Sequence, residues 1–576
     1  MARVLRVNMT DLSVASEELS AERQPTGGRH FTSGVVARDV PPLCRPLSAA
    51  NKLVLAPGWL GGTGAPCSGR LSVGAKSPLT DTIKESNAGG NAANALARLG
   101  VAGVLVEGAP PDDQLRCLWI GPDGARVEDA NELRGLGNYA TVARLQERFP
   151  GKVSCITIGP AGEMRLSTAS VAVTDEEMRP TRHAGRGGMG AVMGSKGLKA
   201  IVVDNEHGER PPSADAAAFG RASAAFARML RAHPVTSVGL PTYGTNILAN
   251  ILNEAGGYPT RNFTAGQFEG TEAISGETQR ERIIARGGEP THACHRGCTI
   301  RCSRVYHDED GHYLTKGPEY ETVWAHGAHC GIDDLDAIAR MDWLDDDIGV
   351  DTIETGVTIG VAMAGGLLPF GDAEGAIKLF EEIRAGTPLG RIIGSGAAVT
   401  GKAFGVARVP VVKGQALPAY DPRCVKGIGV TYATSTMGAD HTAGYTICQN
   451  ILGVGGKVDP LKPEGQAELS RTLQIATGLI DSSGLCLFVA FCVLDDPAAF
   501  PAIVEMTNAH LGLSLDAEAL TAVGAEVLRI ERDFNARAGF GPQHDRLPAF
   551  FSEEPVPPHN TVFDVPAEEL DAVHGT

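Results

Sequence analysis

The chain has 576 residues, of which 43% are hydrophobic and 21% charged, as in an ordinary soluble globular protein. At about 150 residues per domain, this length indicates three or four domains. The formal net charge of -17 excludes a typical nucleic-acid-binding protein, which would need a basic face for phosphates. The N-terminus lacks the apolar core of a signal peptide, and no stretch approaches the ~18 apolar residues of a membrane span. Twelve scattered cysteines do not suggest a disulfide scaffold, so we expect a cytoplasmic protein.

The first third of the chain, residues 1–205, is predicted to be strand-rich. Short β-branched runs at 54–57, 104–107 and 153–158 are separated by turns that contain glycine. The glycines cluster in three stretches, 58–66, 87–91 and 185–196. Because glycine permits close backbone approach, such clusters often surround a ligand that hydrogen-bonds to main-chain groups. We therefore expect a cofactor-binding domain here.

The glycine cluster at 185–196 resembles a dinucleotide-binding fingerprint, but its context differs. That fingerprint requires a strand before the glycines and a helix after them, whereas here the strand-like run 199–204 follows. No Gly-Lys-Ser/Thr sequence is present, which excludes a P-loop. Backbone N–H groups, together with Arg182 or Arg186, would suit another phosphate or pyrophosphate group.

Helical periodicity dominates the remainder of the chain. Residues 206–412 are predicted to form a mainly helical domain with helices at 216–231 and 335–347. The stretch 209–215, near the start of this domain, is predicted to be a linker. Residues 413–576 are predicted to form a second mainly helical domain, which ends in a polar, proline-rich tail from Glu553. The predicted fold class is α+β, a strand-rich N-terminal domain followed by two mainly helical domains.

Three closely spaced cysteines and one distant cysteine suggest a metal centre. Cys294, Cys298 and Cys302 are followed much later by Cys486, and four thiolates can hold a 4Fe-4S cluster. On one straight helix the first three would spread over ~12 Å, so this segment must bend or form a loop. A zinc site is the alternative. Cys67, Cys330, Cys424, Cys448 and Cys492 lack ligand spacing, and we expect most of them to be buried apolar residues.

Segments along nearly the whole chain resemble the aldehyde:ferredoxin oxidoreductase family of tungsten and molybdenum enzymes. The matching segments are 46–53, 64–70, 76–80, 185–196, 317–324, 346–351, 417–423, 440–441 and 481–486, in the family's order. The cysteine spacing Cys-x3-Cys-x3-Cys departs from the family's usual Cys-x2-Cys-x3-Cys. The segment 293–303 is closest in wording to a bacterial branch of the family whose substrates are poorly defined.

The resemblance implies a tungsten or molybdenum bis-pterin cofactor beside a 4Fe-4S cluster. By position in the family's motifs, Arg70, Asn87 and Arg182 would contact the cofactor or its phosphates. In the two Asp-x-x-Gly-x-(Asp/Cys) motifs, carboxylates would hydrogen-bond the pterins and Cys486 would bind the cluster. These carboxylates belong to Asp346, Asp351 and Asp481.

The resemblance also implies the reaction and its catalytic residues. An aldehyde would be oxidised with water to a carboxylic acid, with Glu321 as the proton acceptor and His441 as a hydrogen-bond donor to substrate oxygen. Burial would raise the pKa of Glu321 toward neutrality, and Glu319 is the fallback base. Because only one cluster motif is present, a ferredoxin or ferredoxin-like subunit would accept the electrons.

Several alternatives stay open at this level. The substrate could be another carbonyl compound, such as an aromatic thioester, and the metal could be either tungsten or molybdenum. The chain could also be a non-catalytic electron-transfer subunit that lost the pterin. Some archaeal members share an iron between the subunits of a dimer, but the helix at 339–345 contains no histidine. We expect that iron to be absent, although a homodimer could persist without it.

Overall fold

The computed structural model describes residues 2–19 and 25–575. Strands concentrate in the first 205 residues and helices in the rest, which confirms the predicted α+β class. Within the described ranges, no helix is both long and apolar enough to cross a membrane.

Two six-stranded sheets form the N-terminal region. The strands are β1 Arg3–Asn8, β2 Ser13–Glu18, β3 Leu53–Pro57, β4 Leu71–Lys76, β5 Ile83–Ala88, β6 Val101–Glu107, β7 Arg116–Gly121, β8 Gly124–Asp129, β9 Val153–Thr157, β10 Val171–Val173, β11 Arg182–Ala184 and β12 Leu198–Asp204. The sheet orders are β2-β1-β6-β3-β4-β5 and β11-β10-β9-β12-β7-β8. Neighbouring strands are antiparallel except for the β1–β6 and β7–β12 pairs.

The two sheets share one apolar core. Leu55 and Val104 of the first sheet belong to the same buried cluster as Ile156 and Ile201 of the second. Every residue of β3 and β12 is buried, as expected for β-branched runs with both faces covered. This arrangement brings the glycine-rich turns of both sheets to one region of the molecule.

Helices make up most of the chain after residue 205. The helices are α1 Gly28–Asp39, α2 Ala92–Arg98, α3 Asn138–Arg148, α4 Pro160–Glu163, α5 Met189–Ser195, α6 Ala216–Ala232, α7 Leu240–Tyr243, α8 Leu248–Glu254, α9 Gly276–Ala285, α10 Tyr320–His326, α11 Leu335–Ile348, α12 Thr352–Ala364, α13 Ala373–Ala385, α14 Pro388–Ile393, α15 Ala397–Phe404, α16 Lys426–Thr434, α17 Gln466–Ser483, α18 Ala490–Asp495, α19 Ala499–Leu511, α20 Ala517–Arg537, α21 Phe550–Glu553 and α22 Ala567–Ala572. The predicted helices at 216–231 and 335–347 are confirmed as α6 and α11. Asp215 caps α6 by accepting a hydrogen bond from the N–H of Ala218.

Two parts of the helical region differ from the prediction. A three-stranded antiparallel sheet interrupts it, with strands β13 Glu289–His292, β14 Ser303–His307 and β15 Tyr313–Lys316. A small hairpin follows, formed by β16 Val411–Val412 and β17 Gln415–Ala416. In the proline-rich tail, Phe563 and Val565 are buried. The three-stranded sheet is relevant to the candidate site because the loop between β13 and β14 carries three of the four candidate cluster cysteines.

Candidate functional site

One cavity of about 570 Å³ collects nearly all of the predicted site residues. The predicted residues that line it are Arg70, Asn87, Arg182, Cys294, Cys302, Glu321, Asp346, Asp351, His441, Asp481 and Cys486. Cys298 is the one predicted residue that is not part of the wall. The cavity thus joins both N-terminal sheets, the β13–β14 loop and the ends of several helices.

The cysteine segment forms a loop, as the spacing required. Residues 294–302 contain no helix, and Gly297 adopts a φ of 93°, a left-handed conformation that suits glycine. Cys486 follows the left-handed cap of α17 at Gly484. The N–H of Cys486 donates to the carbonyl of Cys67 at 2.8 Å, and the N–H of Cys67 donates to the carbonyl of Gly297 at 3.0 Å. Residue 67 therefore ties the distant cysteine to the cysteine loop.

The chemistry of these thiols fits a cationic metal centre. A hydrogen bond to Cys298 and burial raise the pKa of Cys294 to about 12, and burial raises the pKa of Cys302 well above its ordinary value. Burial also raises the pKa of Cys486, which the charge of Arg70 partly offsets. Thiolates here require a compensating positive charge, which bound iron or zinc would supply. Cys330, Cys424, Cys448 and Cys492 are buried elsewhere, as expected.

Cys67 is buried, as expected, but it lies next to the candidate cluster ligands. Its sulfur lies 3.3 Å from the hydroxyl of Thr299 and accepts a hydrogen bond from the N–H of that residue. A hydrogen bond with Cys298 is the main cause that lowers its pKa. No cysteine spacing points to this position, because Cys67 is more than 200 residues from the cysteine loop.

Arg70, Asn87 and Arg182 line the cavity near the cysteines. The Nε of Arg70 donates to the side-chain oxygen of Asn87, and its Nη2 donates to the Asn87 carbonyl at 3.2 Å. Arg182 donates to the hydroxyl of Ser303 at 2.8 Å, and its buried Nε has no hydrogen-bond partner. A Cβ at Gly89 would lie 3.2 Å from Nη1 of Arg70 and 3.4 Å from the sulfur of Cys294. The glycine and the unused guanidinium donor fit an anionic cofactor pressed close to the backbone.

The guanidinium of Arg186 makes three hydrogen bonds to oxygen atoms of the protein. It donates to a carboxylate oxygen of Asp351 at 3.2 Å and to the carbonyls of Ala439 and Ala416 at 2.7 Å each. Asp351 also caps α12 by accepting from the N–H of Ile353. These bonds use three of the five N–H groups of Arg186, and the residue also lines the cavity, as Arg182 does.

A lysine and a histidine that belong to no motif of the sequence analysis hold Asp346 in place. Lys316 donates to both of its carboxylate oxygens at 2.9 Å, and Nε2 of His183 lies 3.1 Å from one of them. Although burial alone would raise it, these partners lower the pKa of Asp346, which keeps the carboxylate ionised. An ionised carboxylate at the cavity wall is suited to accept hydrogen bonds from a pterin ring.

A second buried network surrounds Asp481. Nη1 of Arg29 lies 3.3 Å from Asp481, and Arg29 also makes a bidentate pair with Glu531 at 2.8 and 2.9 Å. Burial raises the pKa of Asp481 to about 6 and that of neighbouring Glu85 to about 8. Arg29 and Glu85 line the cavity but belong to no motif recognised from the sequence.

Glu321 and His441 form a close pair at the cavity. Nε2 of His441 lies 3.2 Å from Oε1 of Glu321, while Oε2 accepts from the N–H of Ala419 at 3.0 Å. Burial raises the pKa of Glu321 to about 8 and lowers that of His441 to about 4. Both side chains are therefore uncharged near pH 7, and the contact is not an ion pair. Oε1 of Glu321 and Nδ1 of His441 are both buried and lack a hydrogen-bond partner, which is unusual for buried polar atoms.

Glu319 faces another part of the cavity. Its carboxylate accepts a hydrogen bond from the hydroxyl of Thr245 at 2.7 Å, and its charge contributes to the raised pKa of Cys302. It therefore lies on the cysteine side, which makes it a weaker candidate for the base than Glu321.

Aromatic and aliphatic side chains surround the Glu321–His441 pair. The ring of His441 lies 5.9 Å from that of Tyr420 and 6.0 Å from that of Tyr445, between ring centroids. Tyr445 contacts Phe491 edge-on at 6.4 Å. The apolar wall continues with Val235, Leu240, Ile251, Leu452 and Phe488. This chamber would exclude water and accept an apolar substrate.

Comparison with known proteins places the chain in a family. The N-terminal domain model of aldehyde ferredoxin oxidoreductase matches residues 4–205, and the model of its domains 2 and 3 matches residues 221–573. The tungsten-containing aldehyde ferredoxin oxidoreductase of Pyrococcus abyssi is 37% identical, covering 96% of this chain and 92% of that protein. The enzyme of the same name from Pyrococcus furiosus is 36% identical with the same coverage.

A solved structure supports the fold. The active-site complex BamBC of benzoyl coenzyme A reductase, with 1,5-dienoyl-CoA, superposes with a TM-score of 0.79 at 19% identity, covering 95% of this chain and 90% of that chain. At this identity the likeness concerns the fold alone. From the two family models and the Pyrococcus relatives, the chain belongs to the aldehyde ferredoxin oxidoreductase family.

Proposed function

We propose that this protein oxidises an aldehyde to a carboxylic acid at a tungsten bis-pterin centre and passes the electrons through a 4Fe-4S cluster. The observation that carries the proposal is that one cavity holds both the Glu321–His441 pair and the candidate cluster cysteines. A reacting carbon at that pair would lie in the same enclosure as the electron exit. Membership of the family supports the same chemistry.

The walls of the cavity suggest which residues would hold each group. Cys294, Cys298, Cys302 and Cys486 would bind the cluster, although Cys298 reaches it from outside the cavity wall. Arg70, Asn87 and Arg182 would bind the cofactor's anionic and polar edges, and Asp346, Asp351 and Asp481 would accept its ring N–H groups. The bound groups would supply a two-electron acceptor and a one-electron exit.

The protein's own contribution is proton handling in a dry chamber. The reaction R–CHO + H2O → R–COOH releases two protons and two electrons. Glu321 in its ionised form would take a proton from water or the hydrated aldehyde. His441, neutral and beside Oε1, would orient the substrate oxygen through a ring N–H. The second proton would leave after Glu321 had been deprotonated again.

The chamber and the single cluster motif suggest the reaction partners. The aromatic and aliphatic wall of the chamber favours aldehydes with apolar or aromatic substituents over small polar ones. One cluster requires an external one-electron acceptor, for which a ferredoxin or ferredoxin-like subunit is suited. All twelve cysteines are free, which agrees with a reducing cytoplasm.

A conservative substitution tests the proposed base. In Glu321→Gln the amide fills the same space but cannot take a proton, so aldehyde turnover should fall by about 10²- to 10⁴-fold. Turnover is measured anaerobically with a viologen dye as acceptor, and tungsten, pterin and iron are measured in the same samples. Glu319→Gln is the matched control and should retain most of its activity.

Two results would contradict the proposal. Wild-type turnover in Glu321→Gln would remove Glu321 from the mechanism. A fully loaded wild-type protein that oxidises no aldehyde, but reduces an aromatic thioester, would overturn the assigned reaction while leaving the cofactor in place.

A further inference from the structure

A second group of metal-ligating side chains lies outside the cavity walls that hold the predicted catalytic pair. Ligand atoms of Asp175, Glu177 and His292 all lie within 4.8 Å of one another. Asp175 and Glu177 belong to the turn after β10, and His292 is the last residue of β13. This carboxylate–histidine group therefore connects the second N-terminal sheet to the strand that leads into the cysteine loop.

The histidine has a nitrogen that no hydrogen bond satisfies. Only 6% of His292 is exposed, and its Nε2 is buried without a hydrogen-bond partner. That nitrogen lies 3.2 Å from a carboxylate oxygen of Glu177, but the geometry is not that of a hydrogen bond. Nδ1 lies 3.0 Å from a carboxylate oxygen of Glu289. With a proton on Nδ1, the lone pair of Nε2 would face a carboxylate, and a cation bound to both groups would remove that repulsion.

The arrangement matches a metal ligand supported by a second carboxylate. Histidines that bind metals commonly donate their other ring N–H to a carboxylate, which fixes the tautomer and the ring orientation. Glu289 occupies that position here. Asp175 is held in place because one of its oxygens accepts from the N–H groups of Glu177 and Arg179 at 3.1 and 2.9 Å. The donor set is thus partly preorganised.

The local charge favours a cation. Asp175, Glu177 and Glu289 provide three carboxylates, against one guanidinium, that of Arg182, at 3.8 Å from Asp175. Two metal–ligand bonds of about 2.2 Å place ligand atoms at most about 4.4 Å apart, so atoms that all lie within 4.8 Å of one another need at most a small movement to bind one ion. Glu177 is 43% exposed at its side chain and can make that movement.

We propose that Asp175, Glu177 and His292 bind a divalent transition-metal ion, with water completing its coordination. One imidazole and two carboxylates suit borderline ions such as Mn²⁺, Fe²⁺ or Zn²⁺ rather than soft ions that need thiolates. The ion would fasten the turn after β10 to β13, two residues before Cys294. Its role is structural support of the cysteine loop.

Manganese binding to the holoenzyme tests this site directly. Divalent ions are first removed with EDTA, and their removal is checked by elemental analysis. Mn²⁺ is then titrated into anaerobic protein whose cluster is oxidised and EPR-silent, and the free ion is measured by its six-line EPR signal. The wild type should bind one Mn²⁺ per chain that is lost or weakened by more than about tenfold in Glu177→Gln and His292→Gln.

The controls separate this site from other binding. Glu176→Gln alters the adjacent exposed acid and should bind Mn²⁺ as the wild type does. Glu177→Gln changes an exposed side chain, so it should fold normally even where His292→Gln does not. Equal Mn²⁺ binding by the wild type and Glu177→Gln would overturn the proposal and leave His292 as a protonated partner of two carboxylates.

Discussion

At the scale of single residues, the site depends on groups whose charge states are set by burial. Glu321 and His441 would form an ion pair in water, yet in this cavity both are neutral near pH 7. The nearby Asp440 differs, because Lys84 and Arg186 lower its pKa despite burial. The site thus contains a carboxyl group that can take up a proton, that of Glu321, and a carboxylate that stays ionised, that of Asp440. Such a division of roles is expected for acid–base chemistry.

The pH dependence of turnover follows from these values. Burial raises the pKa of Glu321 to about 8, so its basic, ionised form is scarce below that pH and predominates above it. We expect kcat/KM for an aldehyde to rise about tenfold per pH unit below pH 8 and then level off. His441, with a pKa of about 4, should add no second limb above pH 6. A profile that is flat from pH 6 to 9 would contradict this role for Glu321.

At the scale of elements, the ends of helices hold the site together. Gly28 at the start of α1 adopts a φ of 45° and packs against the last turn of α17. A Cβ there would lie 2.1 Å from the carbonyl oxygen of Asp481. The same turn of α17 leads to Gly484 and then to Cys486, so this contact positions both a proposed cofactor carboxylate, Asp481, and a proposed cluster ligand, Cys486.

Two glycines of the same helix make a matched pair of substitutions. Gly28→Ala should lower Tm and reduce both tungsten and iron content, since it forces a clash with α17 in a strained backbone conformation. Gly34→Ala has no heavy atom within 4 Å of the new Cβ and should stabilise the protein by about 0.5–1 kcal/mol. Thermal unfolding and metal analysis measure both effects. An equal Tm in the two variants would show that the α1–α17 contact is unimportant.

Local patterns predicted much of the fold and the site. Helices α6 and α11, strand β12 and the bent cysteine loop follow from periodicity and spacing within short stretches. The β13–β15 sheet was missed because its strands are short and its pairing partners are set by tertiary contacts. Arg29 was missed because its partners Asp481 and Glu531 are 452 and 502 positions away. No local signal identifies such a residue.

At the scale of the whole molecule, the two ends of the chain close around the cavity. The Arg29–Glu531 pair joins α1 to α20, and Ser33 and Thr436 also donate to Glu531. These buried contacts link the N-terminal region with helices of the C-terminal third. The candidate cofactor residues therefore come from both the N-terminal sheets and the helical regions that follow.

In the proposed reaction, aldehyde oxidation at the Glu321–His441 pair feeds electrons into the cluster within this one chain. The most direct measurement adds an aldehyde to oxidised, fully loaded enzyme without an external acceptor and records the low-temperature EPR spectrum. We predict the signal of a reduced 4Fe-4S cluster in the wild type and its absence in Glu321→Gln of equal metal content. A cluster that dithionite reduces but no aldehyde reduces would contradict the account.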